Sequence, residues 1–344
     1  MLTSFSKSDL IFSIIPSQLY TKQMTKIFSI TCSKNEADII ETFVRVNSRI
    51  VDIFIFIDDS KDTTREILNK LKEEGFNIFI FSTSNQSPYD QGIYMTNGLR
   101  EGVKLGHEHD IYVPLDCDEF LTNMNRQDFI NEISLIPKDH VGFHYWMTYI
   151  PVNDSFSSAK ENSLKKCFKQ KEKKDPNFGK IIIPYGIASK INIDTGSHRA
   201  HLITGDLVKT TLVTCFLAHF PVRDSQQIIK KTISAIDGLI RKKNRREGEG
   251  FHVYDLLARI IREKFIISLV ELQKMAYFYA ERNEAENIVL GDHPSWMDDY
   301  ELKYQNLIKS DQTKYLAEII INMWKSPLMK SECLELQKKL FLKQ

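Results

Sequence analysis

An apolar run in the sequence leads directly into closely spaced acidic side chains. Residues 111–115 are largely hydrophobic and are followed by Asp116-x-Asp118-Glu119. Side chains two apart on an extended chain point the same way, so Asp116 and Asp118 can converge on one target. Carboxylates held this close repel each other unless a cation or a shared proton intervenes. Mg²⁺ or Mn²⁺ carrying a phosphate is the natural occupant, because these ions prefer oxygen ligands, and a solubilising acidic turn is the alternative.

Two earlier segments also place polar side chains after apolar runs. Lys34 and Glu36 follow the run 27–32, where backbone donors and the lysine suit an anion or the edge of a nucleotide. Asp58 follows the run 51–57, where a carboxylate can accept hydrogen bonds from ribose or base groups. The start of a helix, with a capping residue such as Asp62, is the alternative explanation of both segments.

Two later segments supply imidazole and guanidinium groups. A glycine-containing turn delivers His198, and the stretch 218–223 contains His219 and Arg223. Imidazole can complete the coordination shell of a metal, or bind phosphate when it is protonated. Arg223 offers a forked donor for a diphosphate or a carboxylate. A lone histidine is more often a satisfied polar residue than a ligand, so both assignments depend on the acidic segment that precedes them.

The elements that must position these side chains alternate between strand and helix patterns. Apolar runs predict strands at 27–32, 51–57, 77–81 and 111–115, and helical periodicity predicts helices at 35–49, 63–74 and 91–105. Repeated strand–helix units imply a largely parallel sheet. Ligands of such sheets bind outside the carboxyl ends of the strands, where the acidic segments lie in this sequence.

Beyond residue 120 the pattern is mixed and then becomes helical. It predicts a helix at 127–135, strands at 141–149, 180–193 and 207–220, a long loop at 153–179, and helices at 225–244, 252–282 and 312–341. We therefore expect an N-terminal extension over 1–25, an α/β domain over 26–224 and a helical C-terminal region over 225–344.

Composition excludes several classes of protein. The 344 residues are 42% hydrophobic and 26% charged, as in soluble globular proteins, and the net charge of +1 offers no general attraction to nucleic acid. The five cysteines form no Cys-x-x-Cys pair, which argues against a zinc ribbon and suits a reducing compartment. We expect a cytoplasmic protein without a signal peptide, with contact to the inner face of a membrane left open.

Taken together, the five segments resemble the glycosyltransferase A (GT-A) fold, and specifically its family-2-like and family-92-like group. That group has a Lys-Asn-Glu start, an aspartate-rich turn, an Asp-x-Asp-Glu-Phe motif and late histidine-containing segments. The resemblance extends over about residues 26–260. Asp59 and Cys117 depart from its usual pattern, but neither removes a carboxylate. It implies a Rossmann-like mixed, mainly parallel sheet flanked by helices, with the C-terminal helices outside the match.

The resemblance also implies roles for individual residues. The nucleotide would lie near Lys34, Glu36, Asp58 and Asp116, with His219 and Arg223 as further donor-binding residues. Mn²⁺ or Mg²⁺ would be bound by Asp118 and Asp116, with His198 as the remaining protein ligand. The donor would be a nucleotide sugar, with UDP-sugar favoured, and the acceptor a glycan or glycolipid.

The implied reaction is sugar transfer with inversion at the anomeric carbon. Metal neutralises the charge of the departing diphosphate, and a general base removes the proton of the acceptor hydroxyl. Glu119 and Asp206 are the candidate bases from the sequence. A metal-dependent nucleotidyltransferase and a non-catalytic carbohydrate-binding or scaffold relative are the alternatives. The long C-terminal helices leave an oligomer open, and the basic runs 165–174 and 241–246 could meet phospholipid headgroups.

Overall fold

The computed structural model describes residues 24–82, 90–121, 124–153, 163–173, 178–241, 250–279, 288–297 and 300–308. Almost all of the predicted N-terminal extension and all of the predicted helix at 312–341 lie outside these residues. Strand and helix alternate in the first part of the chain, as the apolar runs predict. The predicted division into an extension and two further parts stays a prediction.

The strands lie in one large mixed sheet and one small hairpin. They are β1 (Ile27–Ser33), β2 (Ile53–Asp58), β3 (Ile78–Ser82), β4 (Ile111–Pro114), β5 (Glu119–Leu121), β6 (His140–Pro151), β7 (Phe168–Gln170), β8 (Gly179–Pro184), β9 (Ile191–Ile193), β10 (Ala200–Leu202), β11 (Lys209–Leu212) and β12 (Leu217–His219). The large sheet has the order β3-β2-β1-β4-β8-β6-β12-β5, and β11 and β7 also pair with β6. Strands β9 and β10 form the hairpin.

Parallel pairing dominates the half of the sheet that precedes residue 115. Strand β1 lies between β2 and β4 and runs parallel to both, and β3 is parallel to β2. Strand β8 then joins β4 and β6 in antiparallel pairs. The predicted α/β class, a mixed and mainly parallel sheet flanked by helices, is confirmed.

The helices follow the strands in chain order and end with a helical group. They are α1 (Ile40–Asn47), α2 (Thr64–Glu73), α3 (Gln91–Leu105), α4 (Arg126–Ser134), α5 (Leu164–Cys167), α6 (Tyr185–Ala188), α7 (Ser225–Arg241), α8 (Phe251–Arg262) and α9 (Leu269–Tyr277). The bounds of α3 coincide with the prediction, because the Asp90 carboxylate accepts the backbone N–H groups of Gly92 and Ile93 and fixes the start of the helix.

Strand β2 shows why the sheet is covered on both faces. Phe54 and Phe56 belong to the apolar core on the side of α1 and α2, whereas Ile55 belongs to the core on the side of α3. A strand buried on both faces must be apolar throughout, which explains the unbroken run that predicted it. The two layers hold the strand ends of β1, β2 and β4 in fixed positions.

Four sequence-based assignments beyond residue 150 were wrong in detail. The stretch 180–193 is β8, α6 and β9, because the strand ends at Pro184, where a short helix begins. The stretch 207–220 contains two strands, β11 and β12, and the predicted loop 153–179 contains α5 and β7. The predicted helix 252–282 is two helices, because the chain turns at 263–268 and Ser268 caps α9. In the described residues no helix is long and apolar enough to cross a bilayer.

Candidate active site

The loops after β1 and β2 are tied together at the carboxyl edge of the sheet. Asn35 has a left-handed backbone (φ 60°), and its side-chain oxygen accepts the N–H groups of Lys61 and Asp62 at 2.8 and 3.2 Å. Lys34 pairs with Asp59 at 3.4 Å. These contacts hold residues 34 and 35 outside the helix, and α1 begins at Ile40 and not at residue 35 as predicted.

Asp58 is an organising carboxylate in this edge. One oxygen accepts the hydroxyls of Ser33 and Ser60 at 2.7 and 2.6 Å, and the other accepts Arg65 Nε at 2.8 Å. The side chain is buried. Asp58 therefore lies at the predicted edge. Because both of its oxygens are engaged, its contacts hold the two loops in register.

Asp116 faces a buried lysine. Its Oδ2 lies 2.7 Å from Lys180 Nζ, and its Oδ1 accepts Gln91 Nε2 at 3.0 Å. Lys180 comes from the antiparallel strand β8, and none of its side chain is exposed. Burial opposes the charge of this lysine, but Asp116 and Glu119 outweigh burial and raise the pKa of Lys180 above its ordinary value.

Asp118 is more deeply placed and has two cations beside it. Its Oδ2 lies 2.6 Å from Lys231 Nζ on α7 and 3.6 Å from Arg223 Nη1. Burial acts to raise the pKa of Asp118, but these cations overcome it and hold that pKa below its ordinary value. The carboxylate is therefore ionised at neutral pH.

Arg223 connects Asp118 to the loop after β1. Its guanidinium donates to Asp38 Oδ2 at 2.7 Å and to Glu36 Oε2 at 2.8 Å, and the side chain is buried. Burial raises the pKa of Glu36 to about 7, against the opposing effect of Arg223. The structure thus brings the predicted residues Glu36, Asp118 and Arg223 into one cluster.

Glu119 belongs to the same cluster and is fully buried. Its Oε2 accepts the backbone N–H of Asp116 at 2.7 Å, and its Oε1 accepts Trp146 Nε1 at 2.8 Å. Burial raises the pKa of Glu119 well above its ordinary value. A carboxyl group with both oxygens engaged is poorly placed to receive the proton of a substrate. The geometry favours a positioning role, in which Glu119 shapes the turn that carries Asp116.

The two predicted histidines lie on either side of the Trp146 ring. His219 stacks on the ring with ring centroids 4.3 Å apart. The His198 ring makes an edge contact with it, with ring centroids 5.2 Å apart. His198 Nδ1 donates to the carbonyl of Gly179 at 2.6 Å. His219 Nδ1 is buried and has no hydrogen-bond partner among the described residues. Burial lowers the pKa of His219 to about 3, so its ring is neutral at physiological pH.

Asp206 lies apart from this cluster. It is exposed in the turn after β10, where its carboxylate accepts the hydroxyl of Thr204 at 3.0 Å and its carbonyl accepts the N–H of Leu202. No hydrogen bond or ion pair of the described chain joins Asp206 to the carboxylates. Its predicted role as a base is therefore untested and has no contact that supports it.

Sequence reasoning missed Asp38, Lys180 and Lys231 as members of the cluster. The available signal for Lys180 was its position at the start of an apolar strand pattern, where a lysine is buried only when it is paired. Lys231 stands eight residues after Arg223 on an ordinary amphipathic helix, and nothing in that pattern separates it from a solvent-facing lysine.

Charge at the site is unevenly balanced. Five carboxylates are linked by ion pairs to three cations, which leaves two formal negative charges; the carboxylates are Glu36, Asp38, Asp116, Asp118 and Glu119, and the cations are Lys180, Arg223 and Lys231. A divalent cation or protonation of the two glutamates would balance the excess.

Asp118 and His219 are the residues on this side of the cluster that could contribute ligands to a divalent cation. Asp118 supplies a carboxylate, and the neighbouring His219 supplies the neutral, unpartnered nitrogen that metals prefer. The backbone N–H of Phe220 donates to the Asp118 carbonyl at 2.8 Å and joins the two segments. No group of three or more His, Cys, Asp or Glu side chains within the described ranges forms a metal site. A cation here would therefore have few protein ligands and take the rest from substrate, as Mg²⁺ commonly does.

Comparisons with known proteins give only distant likenesses. No protein-family model and no curated protein match the chain. Residues 1–349 of S. aureus TarS give a TM-score of 0.33 at 11% identity, covering 76% of each chain. Glucosyl-3-phosphoglycerate synthase from Mycobacterium tuberculosis, in complex with Mn²⁺, UDP and glucosyl-3-phosphoglycerate, gives 0.33 at 13% identity, covering 66% of this chain and 83% of that one.

A further solved structure matches over a shorter stretch. Mannosyl-3-phosphoglycerate synthase from Rubrobacter xylanophilus gives a TM-score of 0.27 at 12% identity, and the match covers 36% of this chain and 41% of that one. Likenesses at these scores and identities assign neither a family nor an activity to this chain.

Proposed function

We propose that this chain is a glycosyltransferase that moves a sugar from a nucleotide-sugar donor to a hydroxyl of a glycan or glycolipid acceptor. The observation that carries the proposal is the pair of buried residues Asp118 and His219 within a network of carboxyl groups and cations at the carboxyl edge of the sheet. An α/β sheet places its ligand at that edge, and such a network suits a phosphorylated, metal-bound ligand.

The donor would bind across the ends of β1, β2 and β4. The loops that contain Lys34 and Asp58 would face the nucleoside, with a uridine diphosphate sugar as the favoured donor. Arg223 and Lys231 would face the diphosphate, because they are the cations next to Asp118. Cations already fixed in a site stabilise the charge that develops as the sugar departs, without reorganising during the reaction.

Asp118 and His219 are the residues that we assign to Mn²⁺ or Mg²⁺. When bound, such an ion neutralises negative charge on the leaving diphosphate. From the sequence, His198 is the predicted histidine ligand and Asp116 a second predicted carboxylate. We add His219 because its buried Nδ1 has no hydrogen-bond partner among the described residues. His198 stays a candidate, because donation from its Nδ1 to Gly179 leaves Nε2 as the nitrogen that could bind a metal. Asp116 and Asp118 are each paired with a lysine, so ion pairing does not favour one over the other as a ligand.

The acceptor side of the reaction is less fully assigned. Inversion requires a base on the face of the sugar opposite the diphosphate. Glu119 and Asp206 stay the sequence-based candidates for that role, although the contacts of Glu119 support positioning of Asp116 instead. Extension of a surface polysaccharide or glycolipid is the biological setting that we propose for the transfer.

Asp118→Asn provides the direct test. We expect UDP with Mn²⁺ to raise the melting temperature of the wild-type protein, and UDP-sugars to be hydrolysed or transferred slowly. Asp118→Asn should reduce turnover by about 100-fold or more, the usual effect of removing one charge-stabilising group. Asp139→Asn is the matched control, because that side chain is 74% exposed and lies outside the cluster.

His219→Asn gives a second reporter if loss of Asp118 destabilises the fold. It should reduce the rise in melting temperature on addition of Mn²⁺, measured against the variant's own melting temperature without metal. Unchanged turnover in Asp118→Asn with metal present would falsify the proposal. Transfer of a nucleotidyl group instead of a sugar, or donor binding without any turnover, would favour the alternative functions.

A further inference from the structure

The turn between α8 and α9 exposes a group of large apolar side chains, here named the α8–α9 tip. Its members are Ile261, Phe265, Ile266 and Val270, with 41, 48, 81 and 59% of their surface exposed. Single exposed apolar residues are ordinary, but four within ten positions around one turn form a patch that marks a contact surface.

The backbone holds this patch in a defined shape. Lys264 and Phe265 both have left-handed φ values, of 53° and 63°, which bulky residues adopt only when the surroundings impose it. The N–H of Phe265 donates to the carbonyl of Ile260, and that of Ile266 donates to the carbonyl of Glu263. Ile267 points the other way and is buried in the core formed by the C-terminal helices. The turn is therefore anchored on one side and apolar on the other.

Basic side chains outnumber acidic ones in the segment that contains the tip. Residues 259–274 contain four basic and two acidic side chains. Glu271 is already compensated by Arg259 at 3.5 Å and Lys274 at 4.0 Å. Arg262 and Lys264 are exposed and have no ion-pair partner among the described residues, and Glu263 is the remaining acid.

We propose that the α8–α9 tip binds an anionic phospholipid surface. Apolar side chains that enter the headgroup region next to unpaired cations are the combination that peripheral proteins use on such membranes. The apolar side chains lie at a short turn between two helices, with the exposed cations Arg262 and Lys264 at the same turn. The charge of Arg262 and Lys264 is what selects a negatively charged surface as the occupant.

The position of the tip relative to the candidate active site fits this role. Helix α9 starts at the tip, and its nine residues span about 13 Å. Just after its end, the Tyr279 ring lies 5.3 Å from Lys231 Nζ and 5.4 Å from the His219 ring. If the proposed function holds, a membrane-bound tip would keep the site about one short helix from the lipid surface, within reach of a lipid-linked acceptor.

Vesicle sedimentation of the full chain tests the proposal. The probes are vesicles of phosphatidylcholine alone and of phosphatidylcholine with phosphatidylglycerol. We expect the wild type to bind the anionic vesicles more tightly and to be released by salt. I266S/V270S should weaken binding by about tenfold or more, because burial of one large apolar side chain contributes that much. R262Q/K264Q should remove the preference for anionic lipid.

Leu135→Ser is the matched control, because Leu135 is also 81% exposed but lies after α4, away from the tip. It should bind vesicles as the wild type does, and so should Asp118→Asn, whatever its effect on turnover. The proposal is overturned if the wild type ignores anionic vesicles or if both tip variants bind unchanged. It is equally overturned if light scattering shows a dimer that I266S/V270S dissociates, since the patch would then be a contact between copies.

Discussion

At the scale of single residues, Lys231 is the side chain that most directly connects the acidic segment to the proposed donor. Its Nζ lies 2.6 Å from Asp118 Oδ2 and 5.3 Å from the centre of the Tyr279 ring. Burial disfavours its charge, but Asp118 and Tyr279 outweigh burial, and the pKa of Lys231 is raised above its ordinary value. An ammonium group fixed in this way needs little rearrangement to meet a diphosphate.

Lys231→Met should lower kcat/KM for the nucleotide sugar by about 100-fold, because the site loses a fixed cation where negative charge develops. Lys231→Arg keeps the charge and should retain more of the activity. Lys230→Met, at the adjacent position of α7, is the control and should behave as the wild type. Steady-state kinetics with varied donor measures the effect, and wild-type kcat/KM in Lys231→Met would remove this lysine from the mechanism.

The residues of the site divide clearly into those that sequence could predict and those that it could not. Asp58, Asp116 and Asp118 follow apolar runs, and the carboxyl ends of parallel strands meet at one edge, so their place at that edge follows from the pattern alone. Lys180 and Lys231 come from β8 and α7, far away in the chain. Their approach depends on the antiparallel pairing of β8 and on the packing of α7, which no local pattern specifies.

At the scale of elements, close packing between α3 and the sheet depends on small residues on one face of the helix. A Cβ added at Gly98 would lie 2.7 Å from Ile30 Cγ2 and 3.3 Å from Ile57 Cγ1. Ile30 is a β-branched residue in a buried strand, so its methyl group has little freedom to move. Helix α3 therefore approaches β1 and β2 more closely than any larger side chain would allow.

Gly98→Ala should destabilise the protein by about 1–3 kcal/mol through overpacking, in spite of the higher helix propensity of alanine. Gly186→Ala is the matched control, because a Cβ there would meet no atom within 4 Å, and it should leave stability equal or slightly higher. Urea unfolding of both variants measures the difference. Equal urea midpoints for Gly98→Ala and the wild type would mean that the sheet can shift to accommodate the added methyl group.

Prediction of elements succeeded where a local signal was complete and failed where tertiary contacts interrupted a pattern. Helix α3 has its capping Asp90 and a continuous periodicity, and its bounds were predicted correctly. The stretch 252–282 is also periodic, but Ile267 turns into the core and the chain reverses before α9. Apolar residues at 265–267 continue the helical pattern and mask the turn, and the signal that could have shown it is Ser268 three residues before Glu271, the pattern of a helix N-cap.

At the scale of the whole molecule, burial disfavours the charged forms of the histidines in and near the site. His144 on β6 is opposite Lys180 of β8, is fully buried, and has no described partner for its Nε2. Burial, and then the charge of Lys180, lowers the pKa of His144 to about 3. His219 is lowered in the same direction. Both rings are therefore neutral in the folded protein at pH values where they would be charged in the unfolded chain.

The sign of the effect on stability follows from this difference. The unfolded chain binds a proton at His144 near its ordinary pKa of 6.5, whereas the folded protein binds it only near 3. The contribution of the neutral ring is fully present above pH 6.5 and is lost as the pH falls from 6.5 towards 3. As the pH falls from 7 to 5, the free energy of unfolding should therefore decrease by about 2 kcal/mol less in His144→Gln than in the wild type. Urea unfolding at each pH measures the two slopes, with His107→Gln on an exposed loop as the control. Parallel slopes for the wild type and His144→Gln would show that this buried ring is charged in the folded state.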